Sequence, residues 1–417
     1  MAHIRQLSSG SYQAAVYVGK SSTEFDKNGK PKKLYEYITM DGKKECKAAA
    51  RDLEKDISDG KYSSMQNLLF SAYVPKWLKV NENLVSPTTF VKNYKMYCYK
   101  HFIPFFGNYK LKDISEFLIK EYISLKLEKL SSTTVRKHFF VLSKMFYEAL
   151  KDKSPCRDIT PPEESEYTPV VPTKSEFELL HAAVKGTFDE PIILLAGWCG
   201  LREGEIFGLN TDDIDETNGT VRIDESKAIS ENKNIEKDNP DSKKQPKLIY
   251  LSKDPKSKRG FRTLVVKDYL MELLKKIKFE RLAKYDGNKK VIELNKEPVP
   301  LFDMRPDSYS SRFSDIITFH NEMLDVRKKY GQSGLDNSLK SHTKKSIRRN
   351  LNLQNKRLKD IRFHDLRHYH VTEMYENDIP DQYAAQRLGD DIKTMKTVYQ
   401  HLRLEKKNEL DAVIKNL

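Results

Sequence analysis

Residues 363–402 read FHDLRHYHVTEMYENDIPDQYAAQRLGDDIKTMKTVYQHL. His364 and Arg367 are three apart, a spacing that places both on one face of a helix, and Tyr399 follows thirty-two residues after the arginine. A guanidinium offers a rigid fork of donors matched to two phosphate oxygens and stays charged at any workable pH. Imidazole adds a donor to a third oxygen. A phenol is ionised only about one part in a thousand at neutral pH, so it attacks phosphorus usefully only where cations stabilise the developing charge. The constellation predicts phosphoryl transfer through a protein-tyrosine ester. With 22 Tyr and 10 His in the chain, no one of these residues is informative singly, and the rest of the sequence has to decide.

The 417 residues are enough for two or three domains with real cores. Lys+Arg 74 against Asp+Glu 60 gives a net charge of +14, which suits a polyanionic partner, with a merely solvated basic surface as the alternative. Cys46, Cys98, Cys156 and Cys199 lack any metal-like or paired spacing, so they read as thiols of a reducing compartment, with no zinc implied. The N-terminus lacks an apolar signal core, and no uncharged apolar run of about eighteen residues occurs. These features predict a cytoplasmic protein without a membrane span.

Working outward, residues 11–18 alternate as a strand, Asn28-Gly29 marks a turn, and residues 34–39 form a second strand. Residues 43–57 carry Cys46, Ala50, Leu53 and Ile57 at helical spacing. Such a small sheet backed by a helix either places a strand in a DNA groove or contacts protein. After a hinge at 60–64, four helices are expected at 68–80, 88–101, 115–127 and 132–151, with residues 103–107 (IPFFG) breaking the second. Val135, Phe139, Leu142, Phe146 and Leu150 make the core stripe of the fourth, while Tyr94, Lys95, Tyr97, Tyr99 and Lys100 suggest a binding face. Five prolines in 152–172 read as a linker. The Thr173/Glu176 capping box then starts a new domain.

Its second helix ends in GLREGEIFGL (residues 200–209), followed by DDID at 212–215 and a turn at Asn218-Gly219 into a strand at 220–223. With HDLRH at 364–368, Leu388-Gly389 and VYQHL at 398–402, the chain resembles the tyrosine recombinases, or phage integrase family, in its three-domain form found in phages and conjugative transposons. The resemblance spans the whole length. It implies an α+β, mostly helical multidomain protein: an N-terminal β-sheet and helix domain for arm-type DNA in residues 1–62, a helical-bundle core-binding domain of SAM-like type in 63–157, and a mixed, mainly helical catalytic domain with a small antiparallel sheet in 158–417. It implies Arg202 and Arg367 as holders of the scissile phosphate, His364 as a further donor, Tyr399 as nucleophile, and Glu205 as the acid supporting Arg202.

The resembling family also uses a β-hairpin lysine as general acid. Residues 249–266 read as two β-rich runs around a basic turn, and the SKRG segment matches best at Lys258, with Lys256 as runner-up. Such a lysine needs a pKa lowered toward neutrality. One departure is evident: where the family usually has a histidine after Leu388-Gly389, this chain has Asp390-Asp391. A carboxylate cannot donate unless protonated, so either Asp390 has a structural part or His401 or His368 substitutes. Residues 226–247 read as a flexible polar extension. Residues 341–362 hold eight Lys or Arg against one acid, a basic approach to the phosphate site or a solvated loop. Leu410, Val413, Ile414 and Leu417 give the tail one apolar stripe, which docks on a neighbouring subunit or on its own chain.

The implied activity is site-specific recombination through a 3′-phosphotyrosine intermediate, with no metal or cofactor, integrating and excising a mobile element. The implied partners are double-stranded DNA at core-type and arm-type sites, three further copies in a tetramer, and an accessory DNA-bending protein. Two alternatives are a catalytically weak DNA-binding protein of the same fold and a type IB topoisomerase.

Overall fold

In the N-terminal strands Ile4, Ala14, Val16 and Ile38 fall on one face and Arg5, Gln13, Tyr17, Tyr35 and Tyr37 on the other, so one face can take a helix closely while the other stays open. The computed structural model describes residues 2–27, 29–59, 65–165, 169–232, 248–253, 260–286, 299–341 and 351–393, with 411, 414 and 415. The chain divides into two units, 1–166 and 167–417.

The first unit opens with the antiparallel strands β1 (His3–Gln6), β2 (Tyr12–Phe25) and β3 (Pro31–Met40), in that order in the sheet. The first strand, HIRQ, was not expected: it is too short and too polar to show a period. Helix α1 (Lys43–Ser58) covers one face, where Ala14, Val16, Cys46 and Ala50 form a small core. On the other face Arg5 Nη2 donates to Gln13 at 2.8 Å, Tyr17 and Tyr35 meet edge to face at 5.8 Å, and Tyr37 is exposed.

Helix α2 (Phe70–Asn81) begins a separate, aromatic-rich core that includes Phe70, Trp77, Phe102, Phe106, Tyr122, Phe139 and Phe146. A short turn α3 (Pro87–Thr89), capped by Ser86, runs through π-helical segments Phe90–Lys95 and Cys98–Phe102 into α4 (Ile103–Phe106). The expected break at IPFFG is therefore displaced to its last residue. Pro104 lies inside this continuous helical run, just after its second π-helical segment, and the run ends at Gly107. Tyr94 and Tyr97 are buried, so they belong to the core rather than to a binding face, while Tyr99 is exposed. Helices α5 (Glu116–Leu127) and α6 (Ser132–Leu150) follow, each started by a serine N-cap, and the expected stripe of α6 is buried throughout. The stretch read as linker is partly structural: Cys156 and Ile159 join this core, and Arg136 Nη1 of α6 donates to Pro162 O at 2.7 Å.

The second unit starts at α7 (Lys174–Val184) with the Thr173/Glu176 capping box. Its centre is α8 (Asp189–Cys199), almost wholly buried and ended by Gly200 in the left-handed conformation at φ 67. Then come α9 (Glu203–Gly208), β4 (Ile214–Asp215), β5 (Thr220–Ile223), β6 (Ser226–Glu231), β7 (Leu248–Lys253) and β8 (Arg262–Val265). The antiparallel sheet has the order β4-β5-β8, and β6 pairs with β7. Two expectations are corrected here. The polar extension begins as a strand, and the runs on either side of the basic turn pair with β6 and β5 instead of with each other.

Helices α10 (Asp268–Asp286) and α11 (Pro306–Ser341, interrupted at Gly331) complete the outer layer. The segment before the HxxR motif is laid down on α11. His320 Nε2 accepts from Gln354 N at 2.9 Å, and Asn321 exchanges two hydrogen bonds with the Leu358 backbone. Within its described half, Arg357, Lys359 and Arg362 pair with Asp325, Glu176 and Asp365. Helix α12 (Asp365–Glu376) packs on α8 and stacks its Tyr369 on Phe177 of α7 at 4.4 Å, and α13 (Asp381–Leu388) ends at Gly389, again left-handed at φ 65.

Candidate active site

Three turns of chain converge at the C-terminal end of α8. Gly200 reverses the backbone so that Arg202 becomes the N-cap of α9, and the third residue of that helix is Glu205. The Glu205 carboxylate accepts from the Arg202 backbone N–H at 2.9 Å and from its Nη1 at 2.8 Å. This is the reciprocal half of a capping box, and the same carboxylate also neutralises the charge of the residue at the cap.

Glu205 is nearly fully buried, which alone would raise its pKa. Hydrogen bonds and charge from Arg262, then the charges of Arg202 and Arg367, outweigh burial and set it below the ordinary value. Arg262, the first residue of β8, was missed in the sequence. It donates to Glu205 Oε2 at 2.9 Å and Oε1 at 3.3 Å, to Arg387 O at 2.8 Å and to Gly260 O at 3.0 Å. A signal for it existed: Arg262 shares a strand face with Leu264 and Val266, both buried, and a charge at an inward position requires a partner.

Arg367, on the first turns of α12, is buried. Its Nη1 donates to Gly200 O and its Nη2 to Leu388 O at 2.9 Å, which ties the ends of α8 and α13 together. Burial lowers its pKa, the Arg202 charge lowers it further, and Asp390 and Glu205 act in the opposite sense. Asp390 lies between the arginines: Oδ1 accepts from Arg202 Nη2, and Oδ2 from Arg367 Nη2 at 2.5 Å. Three guanidiniums against two carboxylates leave the cluster with one net positive charge.

His364 precedes α12 and is open to solvent on one side. Packing on its other side, followed by the Arg367 charge, lowers its pKa, so the ring is neutral at pH 7 and has one N–H to donate. His368 meets it edge to face at 5.2 Å and is itself buried, with a pKa lowered to about 4, first by burial and then by His364. His370 is a packing residue with a pKa near 3, accepting at Nε2 from Arg387 Nε at 3.3 Å.

The structure thus brings together Arg202, Glu205, Arg367 and Asp390, with His364 at the rim. Lys258, its runner-up Lys256, Tyr399 and His401 lie outside the described residues. Of the open readings of the missing histidine, the geometry gives Asp390 a direct role in the arginine pair. Such a site can hold a singly charged oxyanion between two forks of donors. Among the described residues, no group of acidic, histidine or cysteine side chains is placed to hold a metal ion, and no helix is long and apolar enough to cross a membrane.

Comparison with known proteins identifies the family and the fold. The phage integrase family matches residues 173–406, and the N-terminal SAM-like domain of phage integrases matches residues 69–135. A protein described as tyrosine recombinase XerC-like, from Caldanaerobacter subterraneus subsp. tengcongensis, is 23% identical over 422 aligned positions, covering 97% of this chain and 96% of that one. Two structures of the Tn1549 transposon integrase share the fold. One, with transposon right end DNA, has a TM-score of 0.55, and the other, with a circular intermediate DNA, has 0.54. Each is 16% identical and covers 82% of this chain and 99% of its own. The chain belongs to the phage integrase family and is a tyrosine-type site-specific recombinase.

Proposed function

We propose that this recombinase cuts and rejoins DNA through a 3′-phosphotyrosine intermediate, integrating and excising a mobile element. The observation that carries the reading is the pair Arg202 and Arg367, aimed at one carboxylate-sized seat with neutral His364 beside it. In the reaction the Tyr399 oxygen attacks a backbone phosphorus, and the phenolic proton leaves to solvent or a nearby base. Arg202, Arg367 and His364 stabilise the charge on the equatorial oxygens. The bond to the 5′-oxygen breaks, and Lys258 supplies that oxygen with a proton. The ester retains the linkage, so a 5′-hydroxyl from a second duplex attacks it, releases Tyr399 and restores a phosphodiester without a nucleotide cofactor. Fixed cations fill the electrostatic role throughout.

Partners follow from the surfaces. The helical bundle and catalytic unit take core-type DNA, and the open face of the N-terminal sheet, with Arg5, Gln13, Tyr17, Tyr35 and Tyr37, takes arm-type DNA. Four copies assemble on two duplexes. A groove of about 520 Å³ between the β8 edge and α13, bordered by Phe261, Val265, Tyr383 and Ile392, offers an apolar surface to the C-terminal stripe of a neighbour. An accessory bending protein sets the direction, and the setting is the cytoplasm of a bacterial host, consistent with four unpaired, buried thiols.

The test is a duplex nicked beside the cleavage position, incubated in EDTA with wild-type protein or Tyr399→Phe and resolved under denaturing conditions. The expected result is a covalent protein–DNA band in the wild type alone. DNA binding without a band in either protein would instead support the catalytically weak DNA-binding reading. A subsequent two-site assay separates recombination from simple relaxation.

A further inference from the structure

The two Nη2 groups that Asp390 bridges belong to the two arginines assigned above to the scissile phosphate. One carboxylate oxygen goes to Arg202 and the other to Arg367, at 2.5 Å for the latter. Much of the remaining donor capacity is already committed: Arg202 Nη1 to Glu205, Arg367 Nη1 to Gly200 O, and a further Arg367 Nη2 bond to Leu388 O. A carboxylate and a phosphodiester are close analogues in this position. Each spreads one negative charge over two oxygens that a guanidinium fork can bind.

We propose that Asp390 fills the phosphate seat of the DNA-free enzyme and that the scissile phosphate must displace it. The inference rests on the assignment of Arg202 and Arg367 as the phosphate holders. It explains how two guanidiniums, one of them buried, are held side by side before substrate arrives: a shared carboxylate offsets their repulsion. It also gives the site a threshold. With Asp390 in place the cluster carries one net positive charge, and an oxyanion placed beside the carboxylate meets like charge at contact distance. With Asp390 turned away the cluster carries two.

The local structure permits that turn. Asp390 follows the left-handed Gly389 at the end of α13, its backbone N–H is anchored on Ala385 O at 3.0 Å, and its side chain is partly exposed. Rotation about its side-chain bonds frees both arginines without moving the helix. Binding energy from the rest of the duplex can drive this exchange, whereas an isolated anion has only its own contacts to offer. Asp390 thereby discriminates between phosphate presented within a bound duplex and free anions.

The experiment is calorimetric titration of the full-length protein with inorganic phosphate, at low ionic strength and without DNA. Wild type is compared with Asp390→Asn, Asp390→Ala, and Asp390→Asn combined with Arg202→Ala. The expected result is a phosphate site about tenfold or more tighter in both single variants than in wild type, lost when Arg202 is also removed. Equal or weaker binding in the folded single variants would overturn the proposal and make Asp390 a fixed brace. A second measurement needs only the wild type: a crystal structure at saturating phosphate. Phosphate oxygens on both Nη2 groups, with Asp390 rotated off, are expected, and phosphate beside an unmoved Asp390 would overturn the idea. Neither measurement involves Tyr399, so Tyr399→Phe serves as a matched control. Covalent capture failing while phosphate titrates as expected would retire the reaction and leave the seat intact, and the reverse would retire only the seat.

Discussion

At the scale of single residues, Glu205 is the acid on which the site's geometry turns. It is as deeply buried as Arg262, with side-chain exposures of 4% and 5%, and it also binds Arg202. Removing one member of a buried pair leaves the other charge uncompensated, a cost of about 3–5 kcal/mol. Glu205→Ala is therefore expected to lower the urea midpoint of the catalytic unit by about that equivalent and to slow covalent capture. The pH dependence has a definite sign. The folded-state pKa lies below the usual 4.5, so the stabilisation is complete above that value and is lost as pH falls through the folded pKa. The stability gap between wild type and Glu205→Gln is expected to be level near neutrality and to shrink in acid below about pH 4.5; a gap that grows there would contradict the account. Arg202, His364 and Arg367 were legible in the sequence because their chemistry is local to short motifs. Arg262 was not, because attention fell on the lysines of the turn while its significance depends on Glu205, fifty-seven residues earlier.

At the scale of elements, the turn after α8 fixes both arginines. Gly200 has φ 67, and a Cβ there would lie 2.6 Å from His370 Cδ2 and 2.7 Å from Leu388 Cδ2. Its carbonyl also receives Arg367. Gly200→Ala is expected to cost about 1–2 kcal/mol from backbone handedness alone, with additional loss from displaced packing, and to slow cleavage more than it weakens DNA binding. Wild-type cleavage in a folded Gly200→Ala protein would show that the turn does not set Arg367. Helices were readable here because their period and caps are local: Ser86, Ser115, Ser131 and Thr173 each cap the helix expected after them. Strand pairing was less so. The runs at β7 and β8 are adjacent in sequence, which suggested a hairpin, but each finds an earlier partner. β6 was hidden because it opens a charge-rich stretch and its buried residues, Ala228, Ile229 and Ser230, are consecutive, so no alternation marks the strand.

At the scale of the whole molecule, the N-terminal sheet has its own core of Ala14, Val16, Cys46 and Ala50, apart from the aromatic core of the helical bundle. Removing residues 1–59 is expected to leave covalent capture on a core-type substrate intact and to abolish binding to arm-type duplexes. Loss of capture in that truncated but folded protein would place the sheet in the catalytic function instead. The net charge of +14 and the charged motifs made a DNA partner legible early, while the proposed assignment of core-type and arm-type DNA to different domains rests on surfaces that only the fold displays. The central claim is that Tyr399 carries the DNA, and mapping the covalent complex tests it most directly. After capture on the nicked duplex, nuclease and protease digestion followed by mass spectrometry is expected to find a nucleotide joined through its 3′-phosphate to the peptide containing Tyr399. An adduct on another residue, or joined through a 5′-phosphate, would contradict the mechanism.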